Sequence, residues 1–600
     1  MNPCRNRVVI ALSIGLVVLS SGANAEEAEE AAAFQYDTQS WIGDDDLRGA
    51  ERLVERYRSQ AQSVGEDNPP YWTETVRDPD TIPADFRPWW QHNVVKPLSA
   101  TSKPIYENPE SLVLRAVANS AQIRVFSDIP IVRETAELEA KGRFDPRVYL
   151  EGKLTDLNEP VGSTLKTGGP DRFLEDEWLL KAGIKKKFLT GTDVDVSQRW
   201  GVLDNNSEFL EPKDQANTRL AFTITQPLLN GFGVKYNRTQ IDIARIDGRV
   251  ALSEFKRQVE SHLLEVIRAY WGVYLERAAL LQRRALLDNT GVLVTEMEGR
   301  GTFDTALNQQ NRVRAKLAAR RSDLVRAETA VRNAEARVLS LVNDNTLVFG
   351  DQFELIPDLA PVTTPKSVST EMAMTLALEN RPEIDQAIKQ LKAAALRSQM
   401  TRRELMPVLN LVFQYYRDGL EGDDDVSGAY SNQFDVGDGS YVLGLVFEYP
   451  LFNREARARH RRRQVEVRQL QEQLRTTLET VSLELQVSTR EVKTAYREML
   501  AKYLAMKSAQ VENETLEQRQ GVDLASQSGA VYIELLLDAQ DRLSEAEYEF
   551  LQSQVTYNVA LVNSDRATGT LLQMYDIEPR RIDHEDGLPA YRLEQVSIAQ

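Results

Sequence analysis

An internal repeat is the feature that most constrains how this 600-residue chain can fold. Three residues recur with the same spacing, 27 residues from first to last: Asn119, Ile123 and Pro146, then Asn380, Ile384 and Pro407. Helices usually end at or before the residue preceding a proline, so each copy predicts a helix that stops just before its Pro. A duplicated unit therefore organises most of the chain.

Alternating sequence follows each of these prolines and predicts strands. Apolar side chains recur at every second position in two stretches of each copy: Val148, Leu150, Leu154 and Leu220, Phe222, Ile224 in the first, Leu409, Leu411, Phe413, Tyr415 and Tyr441, Leu443, Leu445, Phe447 in the second. Period two places such residues on one face of a strand. Related phrases, 226–231 and 449–454, close the second strand of each copy. We expect Pro227 and Pro450 to mark strand-to-helix turns.

Long helical stretches come next in both copies. Apolar residues with 3-4 spacing form a coiled-coil seam: Leu264, Ile267, Trp271, Tyr274, Ala278, Leu281 and Ala285, then Leu536, Ala539, Leu543, Ala546 and Phe550. A helix over residues 232–298 would reach about 100 Å at roughly 1.5 Å per residue. Gly299 and Gly529 occupy related breaks and predict hairpin tips. Asp304, five residues beyond the first break, is interpreted as an N-cap-type residue.

Charge and motif content exclude several classes of protein. The net charge of −18 disfavours nucleic-acid binding, because phosphate contacts need a basic surface. The four histidines are scattered, and the sequence has neither a His-Glu-x-x-His motif nor a phosphate-binding loop. We therefore predict no catalytic residues, no cofactor and no metal site. The acidic stretch Glu421–Asp425 lacks EF-hand spacing, so a solvated extracellular loop is favoured over a calcium site.

The first 25 residues have the composition of a secretory signal peptide. Arg5 and Arg7 precede an apolar run over 8–19, and Ala23-Asn24-Ala25 has the small-x-small pattern of a cleavage site. Cys4, the only cysteine, lies within this segment. No later run approaches about 18 apolar residues, the length of a spanning helix. We expect a periplasmic or secreted protein, or an outer-membrane protein that spans by strands.

Five further segments complete the predicted domain organisation. They are an N-terminal extension (26–109), a first repeat (110–345), a proline-containing linker (346–369), a second repeat (370–574) and a polar tail (575–600). The extension carries Trp41, Trp72, Trp89 and Trp90. Wrapping around the middle of the helices is favoured over a lipid-interface anchor or a partner-binding arm. An extra alternating pair, 184–188 and 194–198, turns at Gly191. It predicts either longer membrane strands or an extracellular hairpin.

Four short strands cannot close a barrel within one chain, since the smallest single-chain barrels have eight. Open strand edges are not tolerated in lipid. If the strands lie in a membrane, several chains must combine them, with the long hairpins combining into a helical tube below.

From about Glu110 to Met574 the chain resembles the TolC-type outer-membrane efflux proteins. The resemblance rests on the duplication, both strand-end phrases, the stretch Asn380–Ile384 and the two glycine-containing tips. It implies an α + β membrane protein in which duplicated helical hairpins form an α-barrel tunnel. It also implies a short transmembrane β-barrel of twelve strands shared by a homotrimer, in the cell outer membrane with the tunnel in the periplasm.

The same resemblance implies a function and partners. It implies a passive exit duct of a tripartite efflux or type I secretion system, and no enzyme. The tips at Gly299, Asp304 and Gly529 would contact a periplasmic adaptor protein, which meets an inner-membrane pump of the RND or ABC type. Asp538, and less directly Glu534, would form an acidic ring at the periplasmic aperture. The alternative hypothesis is a periplasmic coiled-coil scaffold or adaptor, which explains the helices but not the amphipathic strands.

Overall fold

The computed structural model describes residues 44–63, 82–83, 85–98, 102–299, 307–346, 353–366, 369–523, 529–583 and 589–595. Three elements precede the first repeat: α1 (Asp44–Ser63), α2 (Gln91–Val94) and β1 (Lys103–Glu107). The first repeat then contains α3 (Pro109–Asn119), α4 (Ala121–Lys141), β2 (Arg147–Pro160), β3 (Arg172–Lys187), β4 (Asp193–Asn205), β5 (Asp214–Pro227), α5 (Val234–Gly299) and α6 (Leu307–Val342).

The second repeat has the same order, with one helix in place of two strands. After β6 (Phe353–Pro357) come α7 (Thr370–Asn380), α8 (Pro382–Arg403), β7 (Val408–Gly422), α9 (Val426–Asp435), β8 (Ser440–Glu448), α10 (Arg454–Asp523) and α11 (Gly529–Ala567). The chain continues with α12 (Leu571–Met574), β9 (Ile577–Asp583) and β10 (Pro589–Gln595). β9 and β10 pair antiparallel, so the segment expected to be a polar tail contains a hairpin.

The repeated asparagines end equivalent helices. Asn119 closes α3 and Asn380 closes α7, and each side-chain amide donates to the carbonyl four residues earlier, at 3.1 and 2.9 Å. The next helix in each copy, α4 or α8, buries Ile123 or Ile384 and ends before the predicted proline. The duplicated helix ends inferred from the spacing are confirmed.

Six strands form one antiparallel sheet in the order β2-β3-β4-β5-β7-β8, while β1 pairs with β6 in parallel. β5 of the first repeat pairs with β7 of the second, so one continuous sheet joins the two copies. The sequence pattern predicted four strands and an uncertain extra pair. The extra pair is β3 and β4, two full-length strands of 16 and 13 residues inserted between β2 and β5. The number of strands per chain, which the sequence left open, is therefore six in this sheet.

Two long antiparallel hairpins extend from the sheet. α5 has 66 residues and α10 has 70, lengths of about 100 Å at roughly 1.5 Å per residue. The predicted seam is buried, with Leu264, Ile267, Trp271 and Phe550 each no more than 4 % exposed. Within the described residues, no helix is both long enough and apolar enough to span a bilayer.

The N-terminal extension packs against the middle of these helices. Trp90 is buried, Phe86 lies edge-on to Tyr503 with ring centroids 4.8 Å apart, and the Trp89 indole N–H donates to Glu547 at 2.8 Å. These contacts agree with the wrapping interpretation for residues 85–98. Trp41 and Trp72 lie outside the described residues.

Arg277 of α5 joins this extension to the linker between the repeats. Its fully buried guanidinium donates to the carbonyls of Val94 and Lys96, the latter at 2.8 Å, and to Glu354 at 2.7 Å. Burial opposes ionisation of Glu354, but hydrogen bonds from Leu98 N, the Ser102 hydroxyl and Arg277 outweigh it and lower its pKa. Both carboxylate oxygens of Glu354 accept hydrogen bonds. Removing either residue of this buried charge pair would leave the other charge buried without its partner.

We predict that Arg277→Ala lowers the free energy of unfolding by about 3–5 kcal/mol, because Glu354 would remain charged and buried without its partner. The matched control is Arg268→Ala on the same helix, which removes a half-exposed pair with Glu265 at 2.7 Å. Exposed pairs contribute about 0–1 kcal/mol. Denaturant unfolding followed by circular dichroism in detergent measures both. Equal losses in the two variants would contradict the role of the buried pair.

Candidate functional site: the strand sheet and the helical tips

One face of the sheet is apolar across all six strands. A single row of direct backbone partners runs from edge to edge: Val148, Ile184, Val196, Phe222, Tyr415 and Tyr441. Because side chains alternate along each strand, the four apolar sets inferred from the sequence all lie on this surface, which we call the apolar face. Their placement on one side of the sheet is confirmed.

Large apolar side chains on this face are open to the surroundings. Val148 and Leu154 of β2 are 80 % and 79 % exposed, and Leu443 and Leu445 of β8 are both 67 % exposed. Soluble proteins rarely present a contiguous apolar surface of this extent to water. The face needs an apolar environment, either lipid or another protein.

Charged residues bound the apolar face at the end of the sheet away from the long helices, which we call the upper end. Four aspartates on adjacent strands are direct partners in one row: Asp156, Asp176, Asp204 and Asp214. Below this row, the apolar part of β4 covers residues 194–202. At roughly 3.3 Å per residue and a tilt of about 40°, nine residues span about 23 Å, close to the apolar band of about 25 Å found in membrane barrels.

The opposite face of the sheet is polar and internally paired. The Tyr149 hydroxyl donates to Asp195 at 2.9 Å, and Arg219 pairs with Asp418 across β5 and β7 at 2.5 Å. Such a surface is suited to contact with water. The sheet thus has the in–out asymmetry of a channel wall.

Both predicted strand-to-helix turns lie at the end of the sheet from which the long helices extend. Pro227 ends β5, and the following Leu228 N–H donates to the Leu409 carbonyl at 2.7 Å. Pro450 follows β8, and the nearby Asn453 amide donates to the Leu405 carbonyl at 3.1 Å. These backbone and side-chain bonds fix the direction in which the helices leave the sheet.

The β3–β4 turn lies at this same helical end. The Gly233 N–H donates to the Thr190 carbonyl at 3.0 Å. Gly191 has φ +92°, and a Cβ there would lie 2.4 Å from the Gly231 carbonyl oxygen, so only glycine fits. The added pair runs the length of the sheet and turns at the helical end. The alternative of an extracellular hairpin is wrong.

The structure describes the chain up to one of the two glycines predicted to mark hairpin tips and from the other onwards. Gly299 is the last residue of α5 and Gly529 is the first residue of α11, while Asp304 lies outside the described residues. Near these ends the two hairpins share an apolar cluster that includes Leu293, Val313 and Leu536. The described ends of the two hairpins therefore lie side by side.

A ladder of ion pairs joins α6 to α11 just above the tips. Arg312 pairs with Glu534 at 2.7 Å, and Lys316 and Arg320 both reach Asp541, at 2.6 and 2.5 Å. Burial opposes ionisation of Asp541, yet hydrogen bonds from the two cations lower its pKa. Sequence reasoning missed Asp541. The basic residues at intervals of four on α6 were the signal that a partner helix carries facing acids.

Asp538 and Glu534 differ in their surroundings, although both are exposed. Glu534 is turned towards α6 by its bond to Arg312. Asp538 is on the outward side of α11 with Leu535, which is 48 % exposed, while Leu536 and Leu537 are buried behind them. Of the two acids proposed for an aperture ring, Glu534 is therefore the one whose charge a residue of another helix offsets.

Several solved structures share this arrangement of sheet and helical hairpins. No protein-family model and no curated protein matches the chain. The Campylobacter jejuni CmeC outer membrane channel aligns with a TM-score of 0.57 at 13 % identity, over 78 % of this chain and 86 % of that one. The Neisseria gonorrhoeae MtrE outer membrane channel in its open state gives 0.55 at 14 %, over 78 % and 89 %. The Vibrio cholerae outer membrane protein VceC gives 0.52 at 15 %, over 77 % and 96 %.

The chain has the TolC-type fold. The alignments cover most of the solved channels, so the duplicated hairpins and the sheet belong to one architecture. The predicted fold class is confirmed at the level of the fold. A twelve-stranded shared barrel, which the resemblance implied, requires four strands from each of three chains and disagrees with the six strands seen here.

Buried acids occur higher in the helical part of this TolC-type fold. Glu260 of α5 is only 5 % exposed. Its burial, together with the nearby Glu383 carboxylate, raises its pKa to about 7, and Arg381 opposes the shift only in part. Glu260 therefore changes charge near neutral pH, whereas an ordinary glutamate has a pKa near 4.5.

We predict that Glu260→Gln stabilises the protein at pH 8 and not at pH 4. The folded state disfavours the charged form of Glu260. Its contribution to the free energy of unfolding is therefore fully present below a pH of about 4.5 and is lost as the pH rises through about 7. Removing the charge should recover roughly 3 kcal/mol at pH 8. Unfolding free energies of both proteins across this pH range test it, with Glu265→Gln on the same helix as the exposed control. A constant difference between wild type and variant would contradict the titration.

Proposed function

We propose that the protein is an outer-membrane exit duct, a passive conduit of a tripartite efflux or type I secretion system with its helical tunnel in the periplasm. The observation that carries this proposal is the six-stranded sheet, which is apolar on one face and polar on the other and is continuous with two hairpins about 100 Å long. A wall of this kind separates lipid from water, and the helices extend the conduit below it.

The sheet cannot close within one protomer. Within the described residues, β2 and β8 are its two outer strands, and neither pairs with a strand on its outer side. Exposed strand edges are not stable in hydrocarbon, so the edges of neighbouring chains must pair. In a homotrimer, three sheets of six strands give a shared barrel of eighteen strands, wider than a twelve-stranded one because barrel diameter grows with strand number.

The helical tips supply the periplasmic contacts. The ends of both hairpins, marked by Gly299, Asp304 and Gly529, would meet a periplasmic adaptor protein. The adaptor would couple the duct to an inner-membrane pump of the RND or ABC type, which supplies the energy. No residue of the chain is assigned a catalytic role.

Asp538 is proposed as the acidic residue of the periplasmic aperture. Three copies converging on a trimer axis would attract cations and repel anions. Glu534 is a weaker candidate, because Arg312 already pairs with its carboxylate.

Size determination of the detergent-extracted, unboiled protein from outer membranes tests the shared-barrel proposal. We expect a complex of about three chain masses that stays in membranes washed with carbonate, because paired strand edges anchor it in lipid. A monomer released by the wash would reject the duct and support the periplasmic scaffold or adaptor instead.

We predict that Asp538→Asn weakens block of single-channel current by multivalent cations, because it removes one charge per protomer from the aperture. The matched control is Glu534→Gln, four residues earlier on α11, whose charge Arg312 already offsets. Current recordings in planar bilayers compare the two variants. Wild-type block in Asp538→Asn, or a larger loss of block in Glu534→Gln, would remove Asp538 from the aperture.

A further inference from the structure

Helix α9 lies on the apolar face of the sheet, where a solvated loop was expected. It connects β7 to β8 at the end of the sheet away from the long helices. Its Gln433 exchanges hydrogen bonds with Gln198 of β4, and its Ala429 carbonyl accepts from the Thr218 hydroxyl of β5 at 3.0 Å. On their strands, Gln198 lies two residues from Val196 and Thr218 lies four residues from Phe222. Their side chains therefore point to the apolar face.

The contact between α9 and the sheet is close enough to require a glycine. A Cβ on Gly419 of β7 would lie 1.9 Å from the Ala429 carbonyl oxygen and 2.7 Å from the Gln433 nitrogen. Ala429 and Gln433 are both buried, the latter 1 % exposed. The helix is therefore packed on the sheet at a position where the strand has no side chain.

α9 covers the polar positions of the otherwise apolar face. Gln198 and Thr218 interrupt the apolar sets of β4 and β5. Arg417 is the next residue after Tyr415 on the same face of β7. The Arg417 guanidinium donates to the Phe434 carbonyl at 3.2 Å. Each of these groups would be costly to place against hydrocarbon without a partner, and α9 supplies one to each.

The outward side of α9 combines aromatic and small polar residues. Tyr430 and Phe434 are each 43 % exposed and meet edge to face, with ring centroids 5.5 Å apart. Ser427 and Ser431 are exposed beside them. The Asp425 carboxylate caps the helix by accepting from the Ser427 and Gly428 N–H groups. Aromatic rings next to small polar groups are typical of protein surfaces that contact lipid.

We propose that α9 is a lipid-binding surface helix, which places Tyr430 and Phe434 against the lipid of the outer leaflet. The proposal rests on the proposed function, which puts the apolar face in the bilayer. Lipid is the occupant because the outward side of α9 is continuous with that face. The leaflet is the outer one because α9 is at the opposite end of the sheet from the periplasmic helices.

Site-specific fluorescence quenching in liposomes tests this surface. In a Cys4→Ser background, which removes the only cysteine, one cysteine is introduced per variant and labelled with a small fluorophore. Phe434→Cys reports on α9, Leu445→Cys on the exposed apolar face of β8, and Thr223→Cys on the polar face of β5. Nitroxide-labelled phospholipid quenches from the bilayer and iodide quenches from water.

We expect the Phe434 and Leu445 probes to be quenched several-fold more by nitroxide lipid than by iodide, and the Thr223 probe to show the reverse. Iodide quenching at Phe434 with lipid quenching at Leu445 would overturn the surface-helix proposal and leave the duct intact. Protection of Phe434 from both quenchers would overturn it in favour of contact with a neighbouring protomer. Iodide quenching at Leu445 would reject the membrane placement itself, and with it both proposals.

A second variant tests whether docking on the sheet positions the helix. Gly419→Val puts a side chain where α9 now packs. We expect the Phe434 probe to lose its lipid quenching in this variant, with quenching at Leu445 unchanged. Unchanged quenching at both positions would overturn the assignment of the sheet as the support of α9.

Discussion

The two open edges of the sheet are the constraint on which the rest of this architecture depends. β2 and β8 carry backbone groups that no described strand of the same chain satisfies on the outer side. In hydrocarbon each unpaired group costs several kcal/mol, so a single protomer cannot be the membrane form. Once edges pair between chains, the helices below are brought around a common axis. In the proposed duct, the apolar face and the hairpins have one explanation, a closed wall with a tunnel beneath it.

The inserted pair β3 and β4 changes the upper part of this wall without changing the helices below. Both strands lie between β2 and β5, and their turn at Gly191 packs against the strand-to-helix turn near Gly231. Each protomer still contributes the same two hairpins. The strand region is therefore wider than in a four-strand plan, while the number of tunnel helices is unchanged. The turn at Gly191 fixes the inserted strands relative to the start of α5.

The sequence revealed what depends on local period and spacing, and not what depends on distant partners. The Asn119 and Asn380 helix ends and the alternating apolar sets follow from nearby residues. β2 runs past the predicted alternating stretch and includes Asp156, which breaks the apolar pattern. α9 has a sequence rich in Ser, Gly and Asn, and its position depends on Gln198, 235 residues away. Likewise, Glu534 and Asp538 differ only through Arg312 on another helix.

The ion pairs near the tips bear on how such a duct would open. Arg320 is 4 % exposed and reaches Asp541, the Gln540 amide oxygen and the Thr290 hydroxyl, so it holds α5, α6 and α11 together. Arg320 is buried whereas the Asp541 side chain is 38 % exposed, so separating the helices would leave the buried guanidinium without this partner. These three helices would therefore move as one unit at this level. In the proposed duct, opening would then involve α10 or the contacts between protomers.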